Sequence, residues 1–330
     1  MQRLLIICGP TATGKTALAV RLAKQFGGAL ISADSRQVYR GMDVGTGKDL
    51  QGKFKIQKSK VKIRYHNKTY TLFAYDICGV PLWMYDVVDP NEDFSVAQYQ
   101  ALARRVIDGI VNRGKLPIVV GGTGLYIQSL VQSIDTANIP PNARLRSRLS
   151  KLTNERLQEK LQKLAPDVWL QLNNSDQNNP RRLVRKIEIA SQKHQSRQKE
   201  TAGYDALVIG LTAPNELLYS KVDERVDKRV KEGILHEISS LLDKGYTWDM
   251  PSMSALGYKE WKPYFSSPTC DKEGLAQDII QQWKFDEHAY ARRQMTWFKK
   301  QSNVVWFDIT KRGFVKDVAR HIAAWYTGLQ

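Results

Sequence analysis

Short apolar runs recur along the chain at residues 4–8, 29–33, 84–88, 117–120, 207–211 and 304–307. Runs of this length, bounded by turn residues, predict buried strands. Between most of them the apolar positions change to a helical period. Residues 15–26 place Leu18, Leu22 and Phe26 at a spacing of four, and further helices are expected over about 96–112 and 277–300. Strands alternating with helices predict an α/β fold, a parallel sheet with helices on both faces.

Two segments interrupt the alternation. Residues 48–68 hold eight Lys or Arg and one acid, Asp49, and residues 61–75 then alternate as in a hairpin turning near His66-Asn67. The second interruption, about 140–200, opens on Pro140-Pro141 and reads as polar and helical, with 14 Lys+Arg against 6 Asp+Glu over 141–200. The predicted organisation is therefore a core over 1–139 carrying a basic hairpin-like insertion at 48–80. An inserted helical domain follows at 140–200, and the core resumes at 201–330.

Composition narrows the function classes. With 330 residues, 42% hydrophobic and 25% charged, the chain can build a large core. Its net charge of +17 favours a polyanionic partner. No apolar stretch reaches the roughly 18 residues of a membrane span, so nucleic acid is the expected polyanion rather than lipid. Cys8, Cys78 and Cys270 are scattered without metal or disulfide spacing, which fits a reducing cytoplasmic setting. The apolar start of the chain reads as a strand rather than a signal peptide.

The strongest chemical signal follows the first strand. Gly9-Pro10-Thr11-Ala12-Thr13-Gly14-Lys15-Thr16 matches the phosphate-loop pattern GxxxxGK[ST] and opens a predicted helix. Backbone N–H groups and the helix dipole there favour a diphosphate or triphosphate. Lys15 adds charge, and the Thr16 hydroxyl is suited to ligate Mg²⁺. The expected core is therefore P-loop NTPase-like. A nucleotide hydrolase would also need an acidic residue after a neighbouring strand. The run 117–120 ends instead in Gly121-Gly122-Thr123-Gly124, although 84–88 reaches Asp89.

Further blocks point to a family. Ile31-Ser32-Ala33-Asp34-Ser35-Arg36-Gln37-Val38-Tyr39, Gly41-Met42-Asp43-Val44-Gly45-Thr46 and Asp86-Val87-Val88-Asp89-Pro90 follow the phosphate loop in order. Val120-Gly121-Gly122-Thr123-Gly124-Leu125-Tyr126 and Asn179-Pro180-Arg181-Arg182-Leu183-Val184-Arg185 come next. Ala255-Leu256-Gly257-Tyr258 and Arg292-Arg293-Gln294-Met295-Thr296-Trp297 complete the set. Together these resemble the tRNA dimethylallyltransferases across nearly the whole chain. The resemblance implies that the loop holds dimethylallyl diphosphate and that the acceptor is N6 of the adenosine 3′ of the anticodon in tRNA. It also implies a monomer with Mg²⁺ as cofactor and a tRNA-binding helical insertion.

The resemblance implies roles for single residues. Asp34 is the base at N6, while its setting before a turn equally suits a helix cap or a metal ligand. Thr123 sits at the transfer site, and Ser35, Arg36 and Gln37 touch tRNA. Lys15, Thr16 and a basic residue of the helix carrying Lys221, Arg225 and Arg229 stabilise the diphosphate; the family usually has Arg where this chain has Lys221, which leaves the choice among the three open, with Arg225 taken as the expected one. By spacing alone these three form one stripe, opposite a face of Val222, Val226, Val230, Ile234 and Ile238. Arg146, Arg181, Arg182, Leu183, Val184, Arg185, Ala255, Leu256, Gly257, Tyr258 and Lys259 are the remaining expected tRNA contacts. Trp297 is expected in the core.

The segment 48–79 is longer than the family usually has, and Leu82-Trp83 stand where histidine is common. The basic hairpin reads equally as a tRNA contact or a surface insertion. Three other readings share the loop: an adenylate isopentenyltransferase, a small-molecule kinase and a nucleotide-switched nucleic-acid-binding protein.

Overall fold

The computed structural model describes residues 1–48, 56–132, 139, 142–191, 203–267 and 271–328. Pro140-Pro141, Asp49 and Cys270, and with them the expected entry to the insertion, lie outside the described residues. The chain divides into two compact units, Met1–Gln132 with Ala202–Gln330, and Ser133–Thr201.

The first unit opens with β1 (Gln2–Cys8), α1 (Lys15–Phe26) and β2 (Gly28–Ser32). Next come β3 (Ile56–Tyr65), β4 (Lys68–Ile77), β5 (Val80–Trp83), α2 (Val96–Val111), β6 (Leu116–Val120) and α3 (Gly124–Val131). The second unit holds α4 (Ala143–Leu149), α5 (Asn154–Leu164), α6 (Pro166–Leu170), α7 (Asn174–Gln177) and α8 (Pro180–Ala190). The first unit resumes with β7 (Tyr204–Thr212), α9 (Asn215–Lys231), α10 (Ile234–Asp243) and α11 (Lys262–Ser266). It ends with α12 (Lys272–Lys299), β8 (Val304–Asp308) and α13 (Phe314–Thr327).

One sheet runs β3-β4-β5-β2-β6-β1-β7-β8. From β5 to β8 every pairing is parallel, while β3-β4 and β4-β5 are antiparallel. The sheet is therefore mixed, not wholly parallel. The hairpin expected at 61–75 is longer and continues the sheet at its edge. Central strands such as Leu4–Cys8 are buried on both sides, which requires cover on both faces. One apolar layer gathers Tyr99, Leu102 and Val106 of α2 with Trp283 of α12; the other gathers Leu18 and Leu22 of α1 with Val318 and Ile322 of α13. No described helix is long and apolar enough to cross a membrane.

Several expectations are corrected. The run 84–88 is not a strand: β5 stops at Trp83, and Met84 and Asp86 take positive φ, which a strand cannot accommodate. The chain bends there because Val87 and Val88 donate to the Val38 carbonyl, closing a bridge between Tyr39 and Val88. The helix carrying Arg225 ends at Lys231, where Gly233 turns left-handed at φ 93°, so Ile234 and Ile238 belong to α10. α12 begins at Lys272 with an Asp271 cap, five residues before its expected start. α13 follows the last strand and was not expected.

The second unit has its own small core of Leu149, Leu157, Leu161, Leu183 and Ile187. Glu188 is buried among three donors. Arg146 reaches it through Nε and Nη2 at 3.0 and 2.9 Å, and Arg185 and the Asn142 N–H also donate. Burial alone would raise this carboxyl, but these donors outweigh it and hold Glu188 at about 2. Its ionised form therefore contributes stability above the ordinary carboxylate range, and that contribution disappears as pH falls toward about 2. Glu188→Gln is expected to cost about 2 kcal/mol, below the full cost of an orphaned buried charge because both guanidiniums keep some water. Hydrogen exchange of the α4 and α8 amides, compared with those of β1, measures that loss.

Candidate functional site

The site lies at the carboxyl ends of the parallel strands, where the chain leaves β1, β2 and β6 through three loops. Ligands in open α/β sheets favour this edge, at the point where connections diverge to either side. The loops extend each other's pairing. Ala33 N–H donates to the Val120 carbonyl (2.8 Å), Thr123 N–H to the Ala33 carbonyl (3.1 Å) and Gly121 N–H to the Ile7 carbonyl (3.1 Å). A cleft of about 920 Å³ opens between them, and Lys15, Thr16, Asp34, Gln37, Arg225 and Gln294 are among the residues that line it.

The phosphate loop turns through positive φ at Gly9, Ala12 and Gly14. Gly14 caps α1 in the left-handed region at φ 74° with no side-chain cap, which leaves the first helical N–H groups for an anion. Two distant side chains hold the loop. Gln294 of α12 accepts from Thr11 N–H at 2.8 Å and donates to the Gly122 carbonyl at 3.0 Å. Arg225 of α9 donates to Thr11 Oγ1 at 2.7 Å and to the Gly47 carbonyl at 3.4 Å. Lys15 Nζ donates to the Pro10 carbonyl at 2.6 Å. Burial and the Arg225 charge lower the Lys15 ammonium to about 8, against the opposing pull of Asp34. Cys8 lies below the loop, and burial pushes its thiol up to about 12, so it is no nucleophile.

Asp34 follows β2. Its Oδ1 accepts from Arg36 N–H at 2.8 Å, which pins the carboxylate in a turn beside the cleft. Thr123 is tied to the same loop, since Ser35 N–H donates to its Oγ1 at 3.0 Å. Tyr290 of α12 hydrogen-bonds the Thr123 side chain, and burial pushes the Tyr290 hydroxyl above the usual tyrosine range. Thr123 thus bonds to a neighbouring loop rather than to its own backbone.

The loop at 43–47 forms a further wall. Glu237 of α10 accepts from the N–H groups of Asp43, Val44 and Gly45 at 2.8, 2.8 and 3.0 Å. Tyr258 donates to the same carboxylate at 2.6 Å. Gly47 sits at φ 62°, where an added Cβ would lie 2.2 Å from Arg225 Nη2 and 2.4 Å from Arg229 Nη2. Only glycine fits both the conformation and the space. Behind the loop Lys48 is fully buried, donating to the Tyr39 carbonyl and to Asp43 and Asp86.

The expected site residues separate into groups. Thr11, Ala12, Gly14, Lys15, Thr16, Asp34, Gln37 and Arg225 line one cleft, and Thr123 is tied to the Asp34 loop beside it through Ser35 N–H; Gly9, Pro10, Thr13, Ser35 and Arg36 complete the two loops without lining it. The cationic stripe of α9 faces the cleft, which Lys221, Arg225 and Arg229 all line. Arg229 is buried against Glu287 at 3.0 Å, sharing the inward face with Val222 and Val226, while Lys221 stays exposed at the rim. Tyr258 and Ala255 are buried, so neither side chain is presented to a partner, and Tyr258 supports the 43–47 loop through Glu237. Lys259 pairs with Asp286, Leu256 is half-buried, and Gly257 lies against Trp283. Arg36 donates to the Pro251 carbonyl at 3.1 Å. In the other unit, Leu183 is core, Val184 is half-buried, Arg146 and Arg185 hold Glu188, and Arg182 pairs with Asp176; Arg181 is exposed. Trp297 is 38% exposed and packs over Gly124 rather than entering the core.

Gln294, Tyr290, Glu287, Glu237 and Lys48 were not anticipated as site supports. Their signal was available on α12, where Glu287 and Gln294 share a buried stripe with Trp283, Ala291 and Phe298. Polar residues on such a stripe need partners. Among the described residues no group of three or more His, Cys, Asp or Glu is placed to hold a metal. Thr16 is the half-buried hydroxyl at the mouth of the loop.

Known proteins resemble the chain along nearly its whole length. The family described as IPP transferase matches residues 37–301, and the one described as isopentenyl transferase matches residues 2–62. A tRNA dimethylallyltransferase of Roseiflexus sp. (strain RS-1) is 37% identical over 98% of this chain and 99% of its own. The solved full-length tRNA isopentenylpyrophosphate transferase of Bacillus halodurans superposes with a TM-score of 0.67 at 34% identity, covering 98% of this chain and 96% of that one. A eukaryotic dimethylallyltransferase acting on tRNA shares the fold, with a TM-score of 0.76 at 24% identity over 99% of this chain and 80% of its own.

An anion at the loop favours the protonated form of Lys15. Inorganic pyrophosphate should therefore bind less well as pH rises through about 8. Calorimetric titration of the wild type against Lys15→Arg, whose guanidinium stays charged, isolates the effect. The wild-type affinity should fall relative to the variant across that range, and a constant ratio would assign the pH dependence to another group.

Proposed function

The chain belongs to the IPP transferase family, and from that membership we propose that it transfers a dimethylallyl group from dimethylallyl diphosphate to tRNA. The acceptor is N6 of the adenosine 3′-adjacent to the anticodon, and the products are N6-dimethylallyladenosine and diphosphate. The observation that carries this reading is the meeting of a phosphate loop, Arg225 and Asp34 on one cleft. That combination offers an anion site for a leaving group beside a carboxylate able to take a proton.

The adenine amine is a weak nucleophile because its lone pair is delocalised into the ring. As N6 bonds to the allylic carbon, the carbon–oxygen bond to the diphosphate breaks and its electron pair leaves with the diphosphate. Lys15, Arg225 and the loop N–H groups stabilise the charge that develops there. Asp34 takes the proton from N6, and the turn bond to Arg36 N–H keeps its carboxylate aimed at the cleft. Thr123 orients the acceptor from the opposite loop. The target base must leave its stack to reach this depth.

Mg²⁺ is part of the proposal. The Thr16 hydroxyl would hold the ion at the loop, with diphosphate oxygens of the donor completing its oxygen ligands. When bound, the ion neutralises the leaving diphosphate. The proposal also holds the enzyme to be a cytoplasmic monomer.

A second reading is prenylation of a free adenine nucleotide, since the isopentenyl transferase match over residues 2–62 names no tRNA. Purified protein with radiolabelled dimethylallyl diphosphate and no ATP separates the two when offered unmodified tRNA or AMP. Label in tRNA alone is expected, and label in AMP alone moves the chain to the second reading. Asp34→Asn should lower kcat by at least about 100-fold, as removal of a general base does. A variant within a few-fold of wild type would leave Asp34 as a structural turn residue.

A further inference from the structure

The register leaves most of the β3–β4 hairpin beyond the rest of the sheet. β4 meets β5 only from Tyr75↔Leu82 to Ile77↔Val80, whereas β3 and β4 pair from Lys60↔Phe73 to Tyr65↔Lys68. β5 runs parallel to β2, so the overhanging part lies past the carboxyl ends of the strands, along the edge where the cleft opens. Its length is about 20 Å at the usual rise of a strand.

The two faces of this overhang differ. On one, Ile63, Tyr70 and Leu72 are buried in the core, and Gln98 of α2 donates to the Tyr70 hydroxyl at 2.7 Å. On the other, Lys60, Lys62 and Arg64 alternate along β3, exposed, opposite Phe73, Thr71 and Thr69. Among the described residues no acid pairs with these three, although Lys68 at the turn pairs with Glu92. A single lysine is enough to blunt a sheet edge against unwanted pairing. Three like charges on alternate residues of one face repel one another, and an anionic partner relieves that repulsion. Their separation, about 7 Å between alternate residues, is comparable to that of successive phosphates along a nucleic-acid strand. The face is also continuous with the cleft wall. Tyr75 donates to Asp86, Asp86 pairs with Lys48, and Lys48 holds Asp43, which lines the cleft.

We propose that this face of the hairpin binds the sugar-phosphate backbone of the tRNA substrate. Lys60, Lys62 and Arg64 contact phosphates, and the Thr69 and Thr71 hydroxyls donate to backbone oxygens. Contacts of this kind position an RNA without reading its sequence. The inference rests on the tRNA reading given above.

The test is binding of unmodified tRNA, by fluorescence anisotropy over a salt series, to the full chain and three triple variants. Lys60→Ser with Lys62→Ser and Arg64→Ser should raise Kd about 10-fold or more and flatten the dependence of log K on log salt by about 2 to 3. The charge-keeping set Lys60→Arg, Lys62→Arg and Arg64→Lys should stay within about 3-fold of wild type, showing that charge rather than folding is read. A charge-matched control on α1 and α13, Arg21→Ser with Lys316→Ser and Arg320→Ser, should do the same. Wild-type affinity in the serine triple, or an equal loss in the control, overturns the proposal. So does capture of the wild type, but not the serine triple, by anionic phospholipid vesicles while tRNA affinity is unchanged. Failure of the wild type itself to bind tRNA or accept label overturns the tRNA reading instead.

Discussion

A phosphate-binding loop must keep most of its N–H groups free for the ligand, so backbone hydrogen bonds within the loop can do little to hold it. Here the side-chain amide of Gln294 supplies much of the hold. It accepts from Thr11 N–H in the loop after β1 and donates to the Gly122 carbonyl in the loop after β6. One rigid group thereby sets the distance between the anion site and the loop that carries Thr123. Arg225 repeats the device on the other side, linking Thr11 to the Gly47 carbonyl. The long helix α12 therefore belongs to the site, contributing Gln294 and Tyr290 from one face and packing Trp283 and Phe298 into the sheet's cover.

Charge is distributed with the same logic. Arg229 is neutralised by Glu287, and Lys48 by Asp43 and Asp86, so these buried cations stabilise the walls. Among the described residues Lys15 and Arg225 have only hydroxyl or carbonyl hydrogen-bond acceptors, and their mutual repulsion helps depress Lys15 to about 8. On the proposed function, a diphosphate entering between them would relieve that repulsion, giving the site affinity for the donor and, as charge grows on the leaving group, a steeper gain toward the transition state.

Much of this was legible in the chain. The phosphate loop, the helix after it and Asp34 at the end of β2 follow from local patterns, because each depends on a few consecutive residues. The mixed sheet was less visible: the run at 84–88 is as apolar as a strand, but the Val38 carbonyl captures two of its N–H groups and bends it. The cationic stripe of α9 was legible from its spacing, and Lys221, Arg225 and Arg229 all line the cleft; the partner that neutralises Arg229, Glu287, was not, since it lies 58 residues away. Tyr258 and Leu183 lie in family blocks suggestive of tRNA contact, but both are packed inside, where such blocks preserve shape. Gln294 was within a quoted block without a role, since only the fold brings it to Thr11 across 283 positions.

The central claim is that the Gln294 clamp preorganises the loop for the donor's diphosphate. Calorimetric titration of a non-reactive dimethylallyl diphosphate analogue into wild type and Gln294→Leu tests it directly, with inorganic phosphate as a weak reference ligand. Loss of the clamp leaves Thr11 N–H and the Gly122 carbonyl without their partner. The account predicts at least about 10-fold weaker analogue binding, from the roughly 1–3 kcal/mol cost of such orphaned groups, in a protein that still melts cooperatively. Unchanged affinity in a folded Gln294→Leu chain would contradict it.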